Sequence, residues 1–233
     1  SLKIFLTALA IIDDLGAILI IAFFYTSDLS FNYLIASLSV FAGLLILNRL
    51  RFNKLSVYLL LGVLMWYFML KSGVHATISG VLLAFAIPFH KNDDENISYK
   101  LQHFLHKPVA FVILPIFALA NTAIMIPTNV IDSIFSNNSL GILFGLSLGK
   151  LIGIFLFSFI AVKIGIAILP KELNWKLIAG AASLAGIGFT MSIFITNLAF
   201  TDLEIISSSK LTIIIASLIS AVSGLMILKS ATK

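Results

Sequence analysis

Residues 2–26 read LKIFLTALAIIDDLGAILIIAFFYT: an apolar run with Lys3 at its start and two consecutive aspartates, Asp13 and Asp14, halfway along it. About 20 apolar residues suffice for a helix to cross the hydrocarbon core of a bilayer, so the run is a spanning helix. A charged side chain at the centre of such a helix costs about 2.5–3.5 kcal/mol or more, so the aspartates need a purpose. The rest of the chain agrees with a membrane setting. Its 233 residues are 60% hydrophobic and 11% charged, against roughly 25% charged in soluble domains, and the mean hydropathy is +1.12. With no cysteine, a disulfide scaffold, a cysteine-ligated metal and thiol catalysis are excluded. The net charge of +5 would point to nucleic acid on a soluble chain. On a membrane chain it concerns which side the charges occupy.

Apolar runs separated by short polar breaks predict an all-α integral membrane protein with about eight transmembrane helices. They fall at residues 2–26, 31–48, 57–70, 74–89, 109–125, 140–162, 177–200 and 211–228, all within one membrane domain, 1–233. Lys71-Ser72-Gly73 is a tight turn between two short runs, and the polar break 90–108 can form a surface helix at its end. The break 126–139 is rich in turn residues. Open strands are excluded in lipid, and barrel strands of about 10 alternating residues do not fit these runs. No basic segment followed by a cleavage site marks a secretory signal. The chain enters the apolar run directly from Ser1, which reads as a cut, although removal of an initiator Met would look the same.

Loop charges give the orientation. If successive loops alternate sides, the side holding Ser1 collects twelve basic residues: Lys3, Arg49, Arg51, Lys54, Lys91, Lys100, Lys107, Lys163, Lys171, Lys176, Lys229 and Lys233. The other side collects only Lys71 and Lys210. Short basic loops stay in the cytoplasm, so both termini of the chain are expected there. With four acidic residues on each side, three charges remain inside spans: Asp13, Asp14 and Lys150. Counting along their runs at 1.5 Å per residue places all three near the midplane.

Neighbouring residues on a helix point about 100° apart. Asp13 and Asp14 therefore cannot both face one partner, but one can face Lys150 while the other faces a cavity. Burial and like charge raise a carboxylate pKa, and a nearby ammonium lowers it. Such a site can exchange protons for a cation near neutral pH. Alternatively, the pair is a structural salt bridge and the second aspartate is incidental. In the seventh run, Gly186 and Gly188 fall at mid-span, followed by Thr190 and Ser192. Glycine weakens a helix interior, and an unwound crossing here would bring backbone carbonyls and amides to the depth of the charges. A packing face of small residues is the competing explanation. Pro115 and Asn121 mark a kink or an interhelical hydrogen bond. His103 and His106 in the polar segment and His75 after the tight turn are candidate pH sensors, or simply solvated interfacial histidines. No Walker, Rossmann or Ser/His/Asp pattern occurs.

The run Phe5–Thr26 closely resembles the aspartate-pair helix of the NhaA family of bacterial sodium/proton antiporters. The resemblance continues through Lys71-Ser-Gly-Val-His75-Ala-Thr, the stretch Val109–Asn121, Gly149-Lys150 and the stretch Ala185–Ile195, in order along the whole chain. It implies that Asp14 is the principal cation and proton ligand and that Asp13 pairs with Lys150. It further ties His75 to pH response, and the segment with His103 and His106 to a cytoplasmic pH-sensing region. Gln102 stands where the family often has an acidic residue, which leaves the pH threshold open. Family members have about twelve spans, so the chain resembles the last eight, a partial NhaA-like fold. The spans absent from it include a second discontinuous helix that contributes a further Asp and Thr.

The expected function is antiport of cytoplasmic Na⁺ (or Li⁺) against external H⁺, which would regulate intracellular pH and sodium. The protein would be a secondary transporter and not an enzyme, multi-pass in the bacterial inner membrane. Its partners are the lipid bilayer, Na⁺ and H⁺, and it needs no nucleic acid and no cofactor. The transported Na⁺ is the metal, with Asp13 and Asp14 as its ligands. A homodimer would form through absent or unidentified regions. One alternative is a truncated, non-transporting membrane scaffold with a structural Asp13–Lys150 pair. An intramembrane aspartyl protease is disfavoured because its carboxylates must face each other from two spans.

Overall fold

The computed structural model of the chain describes residues 2–25, 29–89, 96–121 and 133–231. All regular structure among the described residues is helical, as lipid requires of a chain that does not close into a barrel. In order these are α1 (Leu2–Phe24), α2 (Phe31–Arg49), α3 (Leu55–Lys71) and α4 (Thr77–Ala86), then α5 (Ile97–Asn121) and α6 (Asn137–Lys163). The broken pair α7a (Trp175–Leu184) and α7b (Phe189–Ala199) comes next, and α8 (Leu203–Ala231) closes the chain. By length and composition, α1, α2, α5, α6 and α8 can each cross a membrane, and α7a with α7b, bent by 45°, makes a sixth span if the pair is one crossing. α3 and α4, with 17 and 10 residues, are apolar but shorter than a full span. Each of the eight expected runs thus contains a helix, and among the described residues five or six of these helices have the length of a span.

The boundaries differ from the apolar runs where a polar stretch is itself helical. α5 begins at Ile97, not at 109, so the surface helix and the fifth span are one continuous rod of 25 residues. It passes Pro108 and Pro115, which give no N–H to the helical ladder, and it takes up a π turn at Val109–Ile113, between them. α8 begins at Leu203, not at 211, because charge marks the membrane edge and does not end a helix. The Asp202 carboxylate accepts from the Glu204 N–H at 2.8 Å and starts the helix. α4 is shorter than its run because Pro88 pushes Ile87 into an extended conformation (φ −68°, ψ 132°), as the residue before proline prefers. Residues 90–95, 122–125 and 126–132, which belong to the expected polar break, fifth span and turn segment, lie outside the described residues, as do Thr26 and Lys233.

The chain divides into two compact units, 18–117 and 1–17 with 118–233. In the first, α2, α3 and α4 pack around Leu44, Tyr58, Met65, Ala86 and Ile87. Polar side chains join these helices through backbone acceptors: Ser37 Oγ donates to Met65 O at 3.1 Å and Asn48 Nδ2 to Ala86 O at 2.9 Å. The turn after α3 takes its tightness from Gly73, at φ +84°, a conformation glycine adopts without penalty. The Ser72 hydroxyl fixes this turn by donating to Met69 O at 2.7 Å.

In the second unit, α8 packs against α7a and α6. Its buried face carries Ser208, Thr212, Ala216, Ser220 and Gly224 at four-residue spacing, the small residues that let membrane helices approach closely. A Cβ on Gly180 of α7a would meet Leu228, and one on Gly224 would meet Leu184. Ser183 Oγ and Ser223 Oγ hydrogen-bond across the same interface at 2.8 Å, and Asn138 Nδ2 joins α6 to Ser209 Oγ at 2.8 Å.

Candidate functional site

Asp13 is the central residue of α1 and Lys150 the central residue of α6. Lys150 Nζ donates to Asp13 Oδ2 at 2.5 Å, a charge-assisted ion pair between residues 137 apart in the chain. Asp14, one position on and turned about 100° around the helix, is exposed and makes no hydrogen bond or ion pair among the described residues. Two carboxylates and one ammonium at one level leave a single excess negative charge. One carboxylate is held by the lysine and the other is not. A cleft of about 380 Å³, lined by Phe5 and Leu9 of α1 and by Gly153 and Phe157 of α6, reaches Lys150.

Lys150 is not carried by an uninterrupted α-helix. The five residues before it, Gly145–Gly149, form a π turn, and the Lys150 N–H closes it on Gly145 O. A π turn inserts a residue into the helical register and so redirects the side chains beyond it; such turns recur at functional sites. The apolar period of 140–162 carries no sign of it. The two glycines that bound it were its only trace in the sequence.

The break between α7a and α7b spans residues 185–188, the middle of that crossing. Gly186 N–H donates to Ser183 O at 3.0 Å and Ile187 N–H to Leu184 O at 3.1 Å, short-range bonds that end α7a. α7b restarts with Ser192 N–H on Gly188 O at 2.8 Å. Gly186 is required by close approach. A Cβ there would fall against the Leu146 carbonyl, 2.5 Å from Ser220 Oγ and 3.0 Å from Ser183 O. A Cβ on Gly188 would meet Ser192 Oγ and Leu146 Cδ2. The unwound segment therefore rests on the π turn that carries Lys150. Small-residue packing and helix interruption were competing explanations for this stretch, and both hold at different glycines. Gly180 serves the packing of α7a on α8, while Gly186 and Gly188 lie in the break. Thr190 is half-buried in the first turn of α7b.

The other candidates lie in the unit 18–117. His75 hydrogen-bonds through Nε2 to Tyr25 O at 3.0 Å, just beyond the last residue of α1. His103 and His106 are exposed one turn apart near the start of α5, with the His103 ring stacked on Tyr99 at 6.3 Å and Gln102 beside it. Among the described residues no three His, Asp or Glu side chains gather into a metal-holding group. Asn121 makes an interhelical hydrogen bond, accepting from Asn197 Nδ2 of α7b at 2.9 Å. Asn197 was not anticipated, because one amide in an apolar run does not reveal its partner.

A family model described as Na⁺/H⁺ antiporter 1 matches residues 1–228, a span that takes in every candidate residue above. The chain belongs to this antiporter family. It is 60% identical over all 233 residues to a protein of Flavobacterium psychrophilum named Na(+)/H(+) antiporter NhaA, covering 61% of that protein. The like-named protein of Cytophaga hutchinsonii is 58% identical over 233 residues, 60% of its length. That of Dechloromonas aromatica is 61% identical over 221 residues, covering 93% of this chain and 57% of the relative. The chain thus spans about 60% of the length of the antiporters it matches. The Asp13–Lys150 pair thus belongs to an antiporter-family chain.

Proposed function

We propose that the protein carrying this chain exchanges cytoplasmic Na⁺ or Li⁺ for external H⁺, with proton and cation competing for Asp14 and Asp13. The observation that carries the proposal is the unequal state of the two carboxylates: Asp13 is held by Lys150, and Asp14 makes no hydrogen bond or ion pair among the described residues. Protonation of the site and binding of one Na⁺ both cancel the same excess charge, so each excludes the other. Lys150 neutralises Asp13 in one state and is freed when a cation takes its place. A ligand shifts a conformational equilibrium only by binding the two states differently. Cancelling a charge in a medium of low dielectric supplies that difference, and the site is then exposed to each side in turn. The close approach of the break at 185–188 to the turn before Lys150 supports this reading, since broken helices line ion sites in many transporters. His75, His103 and His106 are proposed to adjust the activity to pH.

The protein is proposed to lie in a bacterial inner membrane with both ends of this chain in the cytoplasm, as the positive-inside distribution of its loops supports. It uses no cofactor, Na⁺ being cargo, and its homodimer involves regions outside those named here. A non-transporting scaffold would leave Asp14 without a role.

Exchange in everted vesicles, monitored with a pH-sensitive dye, tests the proposal. Na⁺ and Li⁺ are expected to collapse a preformed proton gradient and K⁺ is not. The half-saturating Na⁺ concentration is expected to rise by up to about tenfold per unit fall in pH where one proton competes. A half-saturation that does not move with pH would refute competition.

A further inference from the structure

Residues 163–171 read KIGIAILPK, an apolar connection from α6 to α7a with a lysine at each end. Gly165, at φ +78°, ends α6. Its N–H donates to Val162 O at 3.1 Å and the Ile166 N–H donates to Ala161 O at 3.0 Å, the paired bonds of a glycine-terminated helix. In the stretch that follows, Ile164, Ile166 and Ile168 are 62%, 78% and 90% exposed. Ile168 is also part of the wall of a cavity of about 440 Å³. The cavity lies between Phe5 of α1, Ala161 of α6, Leu169 and Leu173 of the connection, and Trp175 and Ile178 of α7a. Its lining is apolar apart from the Ser158 hydroxyl and the Trp175 indole. Phe155 and Phe159 meet the Trp175 ring edge-on, with centroids at 5.8 and 5.1 Å.

Positive charge accompanies this cavity. Lys3, Lys163, Lys171 and Lys176 each adjoin a lining residue in sequence (Ile4, Val162, Pro170 and Trp175). All four are exposed and make no ion pair among the described residues. Glu172 is the acidic residue among them. A polar metabolite would find few hydrogen-bond partners in such a lining, whereas an apolar body with an anionic head matches both the lining and the lysines. We propose that the cavity binds an anionic phospholipid, one acyl chain entering between α1, α6 and α7a and the phosphate held by the lysines. The exposed isoleucines rest in the same leaflet, where apolar side chains beside basic ones anchor a segment at the interface. That leaflet is the cytoplasmic one; only this choice of side rests on the orientation proposed above. The cavity shares Phe5 and Ser158 with the cleft that reaches Lys150. A bound chain therefore braces α1 against α6 beside the Asp13–Lys150 pair.

Native mass spectrometry of the purified protein that carries this chain tests the site, with dioleoylphosphatidylglycerol or dioleoylphosphatidylcholine titrated in detergent. The first phosphatidylglycerol is expected to bind at least about tenfold more tightly than phosphatidylcholine. A lysine near an anionic headgroup contributes about fivefold, so Lys171→Gln combined with Lys176→Gln should weaken that binding roughly 20- to 30-fold. These lysines are exposed, so the double variant is expected to fold and melt as the wild type does. Ala161→Phe, which places a ring in the cavity, should remove the tight binding of phosphatidylglycerol, and inorganic phosphate should not displace the lipid. Four results would overturn the site: equal affinity for the two lipids, phosphatidylglycerol binding unchanged in the lysine variant, displacement by phosphate, or a structure of the whole protein with another of its helices in the cavity.

Discussion

Asp14→Asn is expected to abolish sodium-dependent proton exchange while leaving the protein folded. Asn has almost the same shape, and Asp14 makes no hydrogen bond or ion pair among the described residues, so no packing or polar contact is lost. What disappears is the negative charge that a proton or a cation would neutralise. Without that charge the affinity for sodium is expected to fall at least about 100-fold. Vesicles should therefore show no dye response to Na⁺ at concentrations that saturate the wild type, with the variant present in the membrane at normal abundance. Exchange at more than a tenth of the wild-type rate would remove Asp14 from the role of principal ligand.

The second large effect concerns the break. Gly186→Ala puts a methyl against the Leu146 carbonyl and Ser220 Oγ, and the carbonyl belongs to the π turn that positions Lys150, so it cannot rotate aside. Overpacking of this kind costs about 1–3 kcal/mol, a fall in melting temperature of roughly 3–10 °C, and Gly186→Val should fail to accumulate. Gly43→Ala in α2 is the control: beyond its own helical turn, no described atom lies within 4 Å of a Cβ there, so the melting temperature should hold or rise slightly as a helical glycine is replaced. Equal effects at 186 and 43 would contradict the close approach of break and π turn.

The difference between what the residues foretold and what they did not has a physical basis. Asp13, Asp14 and Lys150 were legible because charge in an apolar run is costly and therefore conspicuous. That one of the aspartates can meet Lys150 could be read from depth, since each lies at the middle of its run, but that it is Asp13 came from the family resemblance. The glycines at 186 and 188 were legible as a weakness in a helix, but what they make room for was not, because Leu146 looks like any apolar residue of a span. The π turns at Val109–Ile113 and Gly145–Gly149 left no periodic trace, since one inserted residue is too short to change a hydropathy pattern. The ends of α5 and α8 were misplaced for a related reason: hydropathy reports where lipid stops, and a helix can continue beyond it. Ser220 could not be singled out among many serines, because its burial without a side-chain hydrogen bond among the described residues is a property of several helices together.

The central claim is that proton and sodium occupy the same carboxylates, and sodium-evoked proton release from the purified protein tests it most directly. In a weakly buffered detergent solution near the pH at which exchange begins, adding NaCl should acidify the medium by about one to two protons per protein. Adding KCl should not, and Asp14→Asn should remove the signal. Sodium binding without proton release, or proton release that survives Asp14→Asn, would contradict the account.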